Sequence, residues 1–408
     1  MRSIALPLAA ALLWGGPALA QSNETRAPVQ TAPPNAPNQS PAFPEQTRAP
    51  QPAEAANVET QTIASGLPQL WAMEFLPDGR VLVTAKRGAM HIVGADGTAG
   101  PPISGVPEVV DRGQGGLLDV ALAPDFSQSR MIYLSFSEPR GGRENGTSVA
   151  RARLETDDQG GGALTGTEVI FRQTPAYAGD KHFGSRLAFA PDGTLFVTVG
   201  ERSDTPIRDQ AQDISSGLGK IFRINPDGSV PNDNPFVGRE GAQPEIWSYG
   251  HRNLQSATID ANGRLWTVEH GPRGGDELNR PQPGRNYGWP VITYGINYNG
   301  APIGDGITSK YGMEQPIYYW DPVIAPSGMD VYDANAIPEW QGALLVGGLQ
   351  SRGLVVLRME DDKVATEEWV PLDARVRDVK VGSDGAVYAL AEQRGRGSSI
   401  VRIAPAGN

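Results

Sequence analysis

Between Glu245 and Trp289 two polar clusters flank one short apolar run, Leu265-Trp266-Thr267-Val268. The first cluster is Gly250-His251-Arg252-Asn253. The second is Glu269-His270-Gly271-Pro272-Arg273-Gly274-Gly275-Asp276-Glu277. Its glycines permit sharp turns and a close backbone approach to a ligand. Pro272 can offer only its carbonyl oxygen. Asp276 and Glu277 add carboxylates, and bare carbonyls together with carboxylates suit calcium. Arg252 and Asn253 present planar hydrogen-bonding groups matched to a carboxylated or amide-bearing ligand. A glycine-rich turn carrying surface charges would have the same composition.

Three further loops carry concentrated polar chemistry. Asp111-Arg112-Gly113-Gln114-Gly115-Gly116 sets Gln114 among glycines, where it could reach a ligand or merely turn. Gly179-Asp180-Lys181-His182-Phe183-Gly184-Ser185-Arg186 places a histidine between cations. Neighbouring positive charge lowers a histidine pKa and favours the neutral, proton-accepting form. The other histidines are His91, in an apolar strand pattern, His251 and His270; their spacing does not fit a zinc site. The last region joins Gln350-Ser351-Arg352 with Arg375-Val376-Arg377-Asp378. On a strand Arg375 and Arg377 share one face, an arrangement that favours an anionic partner, although each could be a solvated charge.

The elements that must hold these loops are short β-patterned runs bounded by Pro, Asp and Gly. One pattern recurs: an apolar pair, a turn with Asp or Asn, then an apolar strand. It occurs at Asp78, Asp125, Asp192 and Asn262, and more weakly at Asn335 and Asp384. Asp-Gly and Asn-Gly are tight hairpin signals. The separations run from 47 to 73 residues, which predicts an all-β, six-bladed β-propeller with insertions in the longer repeats. A β-sandwich rich in such hairpins is the competing fold. In a propeller, the strand near Val58–Ile63 should pair with Ile400–Ile403 to close the ring, and loops between blades should converge on one face.

Residues 1–20 read as a secretory signal: Arg2, then an apolar stretch from Ile4 to Trp14, then Ala18-Leu19-Ala20. The stretch is too short to span a bilayer. Export to the periplasm or medium is therefore expected, with no integral membrane segment. Residues 21–57 contain eight prolines and few large apolar side chains, the composition of a disordered tether. Residues 58–408 would form the propeller domain. The chain has no cysteine, so packing, ring closure or metal must hold it. A net charge of −11 argues against nucleic acid and anionic membranes as partners.

Taken in order, QGGLLDVALAPDF, HFGSRLAFAPDGTLFVTVG, GHRNLQ, EHGPRGGDELNRPQPGRNYGWP and RVRDVKVGSDGAVYAL resemble the soluble PQQ-dependent aldose sugar dehydrogenases, in the glucose/sorbosone dehydrogenase family. The resemblance runs from about residue 62 to 405. It implies oxidation of an aldose at the anomeric carbon to a lactone, with PQQ and calcium as cofactors and electrons passed to an unidentified acceptor. It implies that His182 is the base. Gln114, Arg252, Asn253, Arg375 and Arg377 would hold PQQ, with Tyr298 and Trp320 lining the pocket. Gly271 and Pro272 would give carbonyls to a catalytic calcium. Glu277 and Tyr287, with Asp276, would form a structural calcium site. Two positions depart from the pattern: Lys181 replaces an aspartate of some members, and Gln350 replaces a lysine, with Arg352 as a candidate substitute cation. Short loops imply an open site and broad sugar acceptance. A calcium-dependent lactonase and a non-catalytic binding propeller are the competing functions; the first would need a ring of acidic side chains, the second would not need His182 and the arginines.

Overall fold

A computed structural model describes residues 26–157, 160–393 and 397–407. The expected signal segment and the first residues of the expected tether lie outside these. The described chain forms six sheets arranged as a β-propeller, five of four strands and one of three. The innermost strands are Leu70–Phe75, Leu117–Leu122, Gly184–Phe189, Leu254–Ile259, Pro326–Val331 and Arg375–Val381, one for each of blades one to six. Each packs on the next, and the sixth packs on the first. All six Asp/Asn turns fall between the first and second strands of their blades. Four are tight, with Gly79, Gly193, Gly263 and Gly385 at φ +74 to +85°, a region closed to most side chains. The other two are longer than a hairpin signal implies, holding the helical turn Phe126–Ser129 and the 3-10 turn Pro338–Trp340.

Blade one has three strands rather than four. After Ala89–Val93 the chain runs through Gly100-Pro101-Pro102 and Pro107. Prolines cannot donate to a ladder, and only single bridges form there, such as Val93 with Ala99. Blade six is completed by the N-terminal strand Val58–Leu67, antiparallel to Gly397–Pro405 in a register that pairs Thr60 with Ile403 and Ala64 with Ile400. This is the closure expected from the sequence.

Residues 26–57 do not behave as a tether. They fold back on themselves at a bridge between Pro28 and Pro50 and lie along blades four and five. Gln46 is fully buried and donates to the Pro316 carbonyl at 2.9 Å. Ala49 enters the core beside Trp266 and Trp320 and donates its N–H to the Tyr318 hydroxyl at 2.8 Å. The Pro50 carbonyl accepts from Glu367 N at 3.0 Å. A composition argument counts what a segment can bury by itself. Here the order comes from polar partners supplied by the propeller and from one small side chain of the segment, Ala49, that the propeller core accepts.

At the axis Arg186 is buried between two carboxylates, Asp119 at 2.9 Å and Asp378 at 2.8 Å. It stacks on Trp71 at 4.4 Å and donates from Nε to the Gln255 carbonyl at 2.8 Å. Asp378 accepts from Met73 N at 2.9 Å, and Asp119 from Leu187 N at 2.8 Å. Residues of five blades meet at one guanidinium. Among the described residues no helix is long and apolar enough to cross a membrane. Removing one member of a buried ion network leaves the others desolvated and unpaired. Asp378→Ala should therefore lower unfolding stability by about 3–5 kcal/mol, read as a shifted denaturant midpoint. An unchanged midpoint would show that the network is not a structural anchor.

Candidate active site

The loops entering the six inner strands converge on one mouth. A cavity of about 240 Å³ there is lined by Trp71, Gln114, Gly184, Asn253, Ala325 and Arg377, one residue from each blade or its entering loop. It shares Arg375, Arg377 and Glu392 with a wider opening of about 1330 Å³, which Arg352 and Gln350 also line.

His182 sits beside Gln114 and Phe183 at this mouth. Its backbone is left-handed at φ +48°, a strained state for a non-glycine residue. Several contacts fix it. Gln114 Oε1 accepts from His182 N at 2.7 Å. The His182 carbonyl packs on Gly200, where a Cβ would meet it at 2.2 Å. Arg202, stacked 4.0 Å from the Phe183 ring, donates to the Lys181 carbonyl at 3.0 Å and the Gly179 carbonyl at 2.8 Å.

The imidazole Nδ1 lies 2.7 Å from Glu201 Oε2. A carboxylate accepts, so Nδ1 carries the hydrogen and Nε2 keeps its lone pair. Nε2 has no partner among the described residues. Burial pushes the His182 pKa below its ordinary value; Glu201 opposes this, and Arg252 and Lys181 add to it. Arg186, expected from the sequence to assist, is instead locked in the axial network. Glu201 went unnoticed in the sequence. The available signal was a carboxylate one residue beyond the buried strand Leu195–Val199 and its glycine.

Arg252 is buried, stacks 5.1 Å from the Trp289 ring, and donates from Nη1 to the carbonyls of His270 at 2.8 Å and Gly271 at 2.7 Å. Its Nε is buried without a partner among the described residues. Behind it Ser248 Oγ, His251 and Glu269 form a buried relay with 2.9 Å spacings, and Glu269 Oε2 accepts from Arg252 N at 2.6 Å. The relay has the form of a hydrolytic triad, but Ser248 and His251 are fully buried, so it can only position Arg252. His270 donates to the Pro326 carbonyl at 2.6 Å, and burial lowers its pKa to about 3, leaving it neutral. Asn253 Oδ1 accepts from Gly184 N at 3.2 Å.

Arg375 and Arg377 both reach Glu392, at 3.4 and 2.7 Å. Arg352, at φ +57°, donates to the Asp373 carbonyl on the same rim. The cationic residues anticipated for an anionic ligand are thus brought together. Tyr298 and Trp320 are not. Tyr298 is 76 % exposed on a separate groove. Trp320 is buried and donates to Glu367 at 2.8 Å, beneath the N-terminal segment.

The expected calcium residues give a mixed picture. Asp276 anchors the loop, accepting from Gly271 N at 2.8 Å and Ala325 N at 2.7 Å. Burial raises its pKa to about 7. The Tyr287 hydroxyl is used by Arg280 O and Gln282 N, both at 2.9 Å, and its ring stacks on His251. Glu277 faces Glu269 across two strands, bridged by Asn279 Nδ2 at 3.1 Å to each. Burial, then Glu269, pushes the Glu277 pKa up. Among the described residues no three His, Asp or Glu side chains cluster as a metal cage.

A six-bladed propeller with a basic cavity and a carboxylate-held histidine at its mouth has clear relatives. The Glucose / Sorbosone dehydrogenase family model matches residues 67–402, and the chain belongs to that family. It is 41 % identical to the aldose sugar dehydrogenase of Escherichia coli (strain K12) over 358 residues, 86 % of this chain and 94 % of that protein. The apo-form crystal structure of the soluble E. coli aldose sugar dehydrogenase matches with a TM-score of 0.80, over 86 % of this chain and all of that one (100 %). The PQQ-bound aldose sugar dehydrogenase of Streptomyces coelicolor matches at 29 % identity and a TM-score of 0.71, over 86 % and 99 %.

The Glu201 contact gives a test independent of activity. The His182 ring, followed by NMR, should titrate below 6.5. Glu201 favours the protonated ring, so Glu201→Gln should move the midpoint further down. A midpoint at or above 6.5 that ignores the substitution would break the assigned contact.

Proposed function

We propose that this protein oxidises the anomeric carbon of aldoses to lactones, using PQQ and calcium, after export to the periplasm or medium. The observation that carries the reading is His182, held by Glu201 with Nε2 unpartnered among the described residues, next to Gln114 and Phe183, which line a cavity together with Arg375 and Arg377. The donor set fits PQQ, a tricarboxylated ortho-quinone. The guanidinium groups of Arg375 and Arg377 can each spare N–H groups beyond their Glu392 contact, and Arg252 Nε is a buried orphan. Gln114 and Asn253 would border the bound group.

The fit for calcium is narrower. The Gly271 and Pro272 carbonyls would hold one ion, but Gly271 O already accepts from Arg252. Calcium takes six to eight oxygens, so cofactor oxygens would have to complete the shell. The Glu269–Glu277 pair gives a separate reason for a cation, since a charge there would relieve their repulsion.

When bound, calcium-polarised PQQ supplies a hydride acceptor for the sugar C1. The chain's own residues handle the proton. Nε2 of His182 takes it from the anomeric hydroxyl, while Glu201 keeps the ring oriented and stabilises the imidazolium formed. Lowering the His182 pKa keeps this base unprotonated at neutral pH. The strained backbone held by Gln114 and Gly200 aims the ring.

His182→Gln should reduce aldose turnover roughly 10²–10⁴-fold, with PQQ content and melting temperature nearly unchanged. A variant keeping more than about a tenth of wild-type turnover, with chemistry rate-limiting, would remove His182 as the base. Arg377→Ala should weaken PQQ binding by about 1.5–3 kcal/mol, measured by titrating the apoprotein; an unchanged affinity would take Arg377 out of the site. Chelation should lower the melting temperature and calcium should restore it, because ligands of the folded state stabilise by linkage. No response to either would remove both calcium sites.

A further inference from the structure

Three glycines leave the loop of residues 271–276 with little stiffness of its own. From the cavity side, Arg252 donates to the Gly271 carbonyl at 2.7 Å, and Asp276 accepts from Gly271 N at 2.8 Å. On the outer side Arg273 pairs with Ile296, and the remaining restraints run through residues 318–321. Gly275 N donates to the Trp320 carbonyl at 2.9 Å. Asp276 faces Trp320 in the ladder between Asp276–Asn279 and Tyr318–Trp320. The Asp321 carboxylate lies so close to Gly274 that a Cβ there would meet its Oδ1 at 2.7 Å.

Tyr318–Trp320 is the outermost strand of blade four, and the N-terminal segment lies on it. Gln46 Nε2 donates to the Pro316 carbonyl at 2.9 Å, Thr47 Oγ1 to the Tyr319 carbonyl at 2.8 Å, and Ala49 N to the Tyr318 hydroxyl at 2.8 Å. Both carboxylate oxygens of Asp321 accept from the segment. Oδ1 takes Asn35 N and Nδ2 at 2.8 and 3.0 Å, and Oδ2 takes Ala36 N at 2.9 Å. Asn35 Oδ1 then accepts from Arg273 Nε at 3.2 Å, within the loop itself. Arg48 pins the segment by donating to the carbonyls of Gln30, Ala32 and Asp321 at 2.9, 2.7 and 2.8 Å.

The segment precedes residue 67, where the family match begins. Its polar bonds therefore add an outer restraint to a loop that the matched region already holds from the inside. Asp321 is buried. Deprived of these donors, its carboxylate would turn toward water and release Gly274.

We propose that residues 26–57 are a clamp that fixes the shape of the 271–276 loop and, through it, the affinity of the Gly271 and Pro272 carbonyls for calcium. The proposal rests on the calcium reading above. Asn35, Arg48 and Asp321 are positioning residues that act through the loop rather than on the ion. Carbonyls on a glycine-rich turn bind a cation well only when already in place, because ordering them on binding costs entropy.

The test uses the full-length protein with PQQ present, stripped by chelator and titrated with calcium ion alone. The readouts are the calcium midpoint of the thermal shift and hydrogen exchange of the loop amides. Asn35→Ala should weaken calcium binding about tenfold and speed exchange at Arg273 and Gly275, while the strands of blade two keep their protection. Arg48→Ala removes no bond to the loop and should act in the same direction. Unchanged loop exchange in both variants overturns the clamp. Faster exchange with an unmoved calcium midpoint overturns it as well. An effect confined to Asn35→Ala reduces to one lost Arg273 bond and has the same consequence. If the wild type itself ignores calcium, the calcium reading fails and the clamp's effect on affinity falls with it; the wild-type titration alone identifies that case.

Discussion

A single guanidinium at the axis constrains everything around it. Arg186 cannot be buried without its two carboxylates, and those carboxylates come from blades two and six. Their remaining oxygens are taken by backbone N–H groups of blades one and three. Desolvating three charges is costly, and only near-complete satisfaction offsets that cost. The inner strands are therefore held at one relative height and rotation around the channel. A cavity assembled from one residue per blade needs this, because a small slip in any blade would move its contribution out of reach.

The same logic recurs at the mouth in neutral form. His182 holds a backbone conformation that it would not choose alone, and the surroundings over-determine it. Gln114, Gly200 and Arg202 each fix a different part of the loop. Arg252 is fixed from behind by Glu269, which is itself fixed by His251. Neither functional side chain depends on its own preferences for its aim. In the role proposed for His182, rigidity from several directions would let the base act without first reorganising.

Much of this was legible in the sequence, and the reasons differ by feature. Four of the six Asp/Asn turns were visible because a tight hairpin demands a glycine at positive φ after the Asp or Asn, and the turns at Asp125 and Asn335 shared their apolar flanks over a longer connection. The clustering of Gln114, Asn253, Arg375 and Arg377 followed once the loops were assigned to one face. Glu201 was not legible, because a lone carboxylate after a strand has no spacing relation to the histidine nineteen positions earlier. The third-strand ending of blade one needed attention to Pro101 and Pro102. The docking of residues 26–57 was hidden for a different reason: its partners, Asp321 and Tyr318, are more than 260 residues away. Tyr298 went astray because a family position carries no statement of which groove it borders.

The closing strand sets an order of events. Residues 58–67 are synthesised more than 300 positions before their partner, Gly397–Pro405. Until then blade six lacks its outer edge. A nascent chain can form separate hairpins but cannot complete the ring. Closure thus waits on the pairing of two strands that lie at opposite ends of the propeller's own sequence.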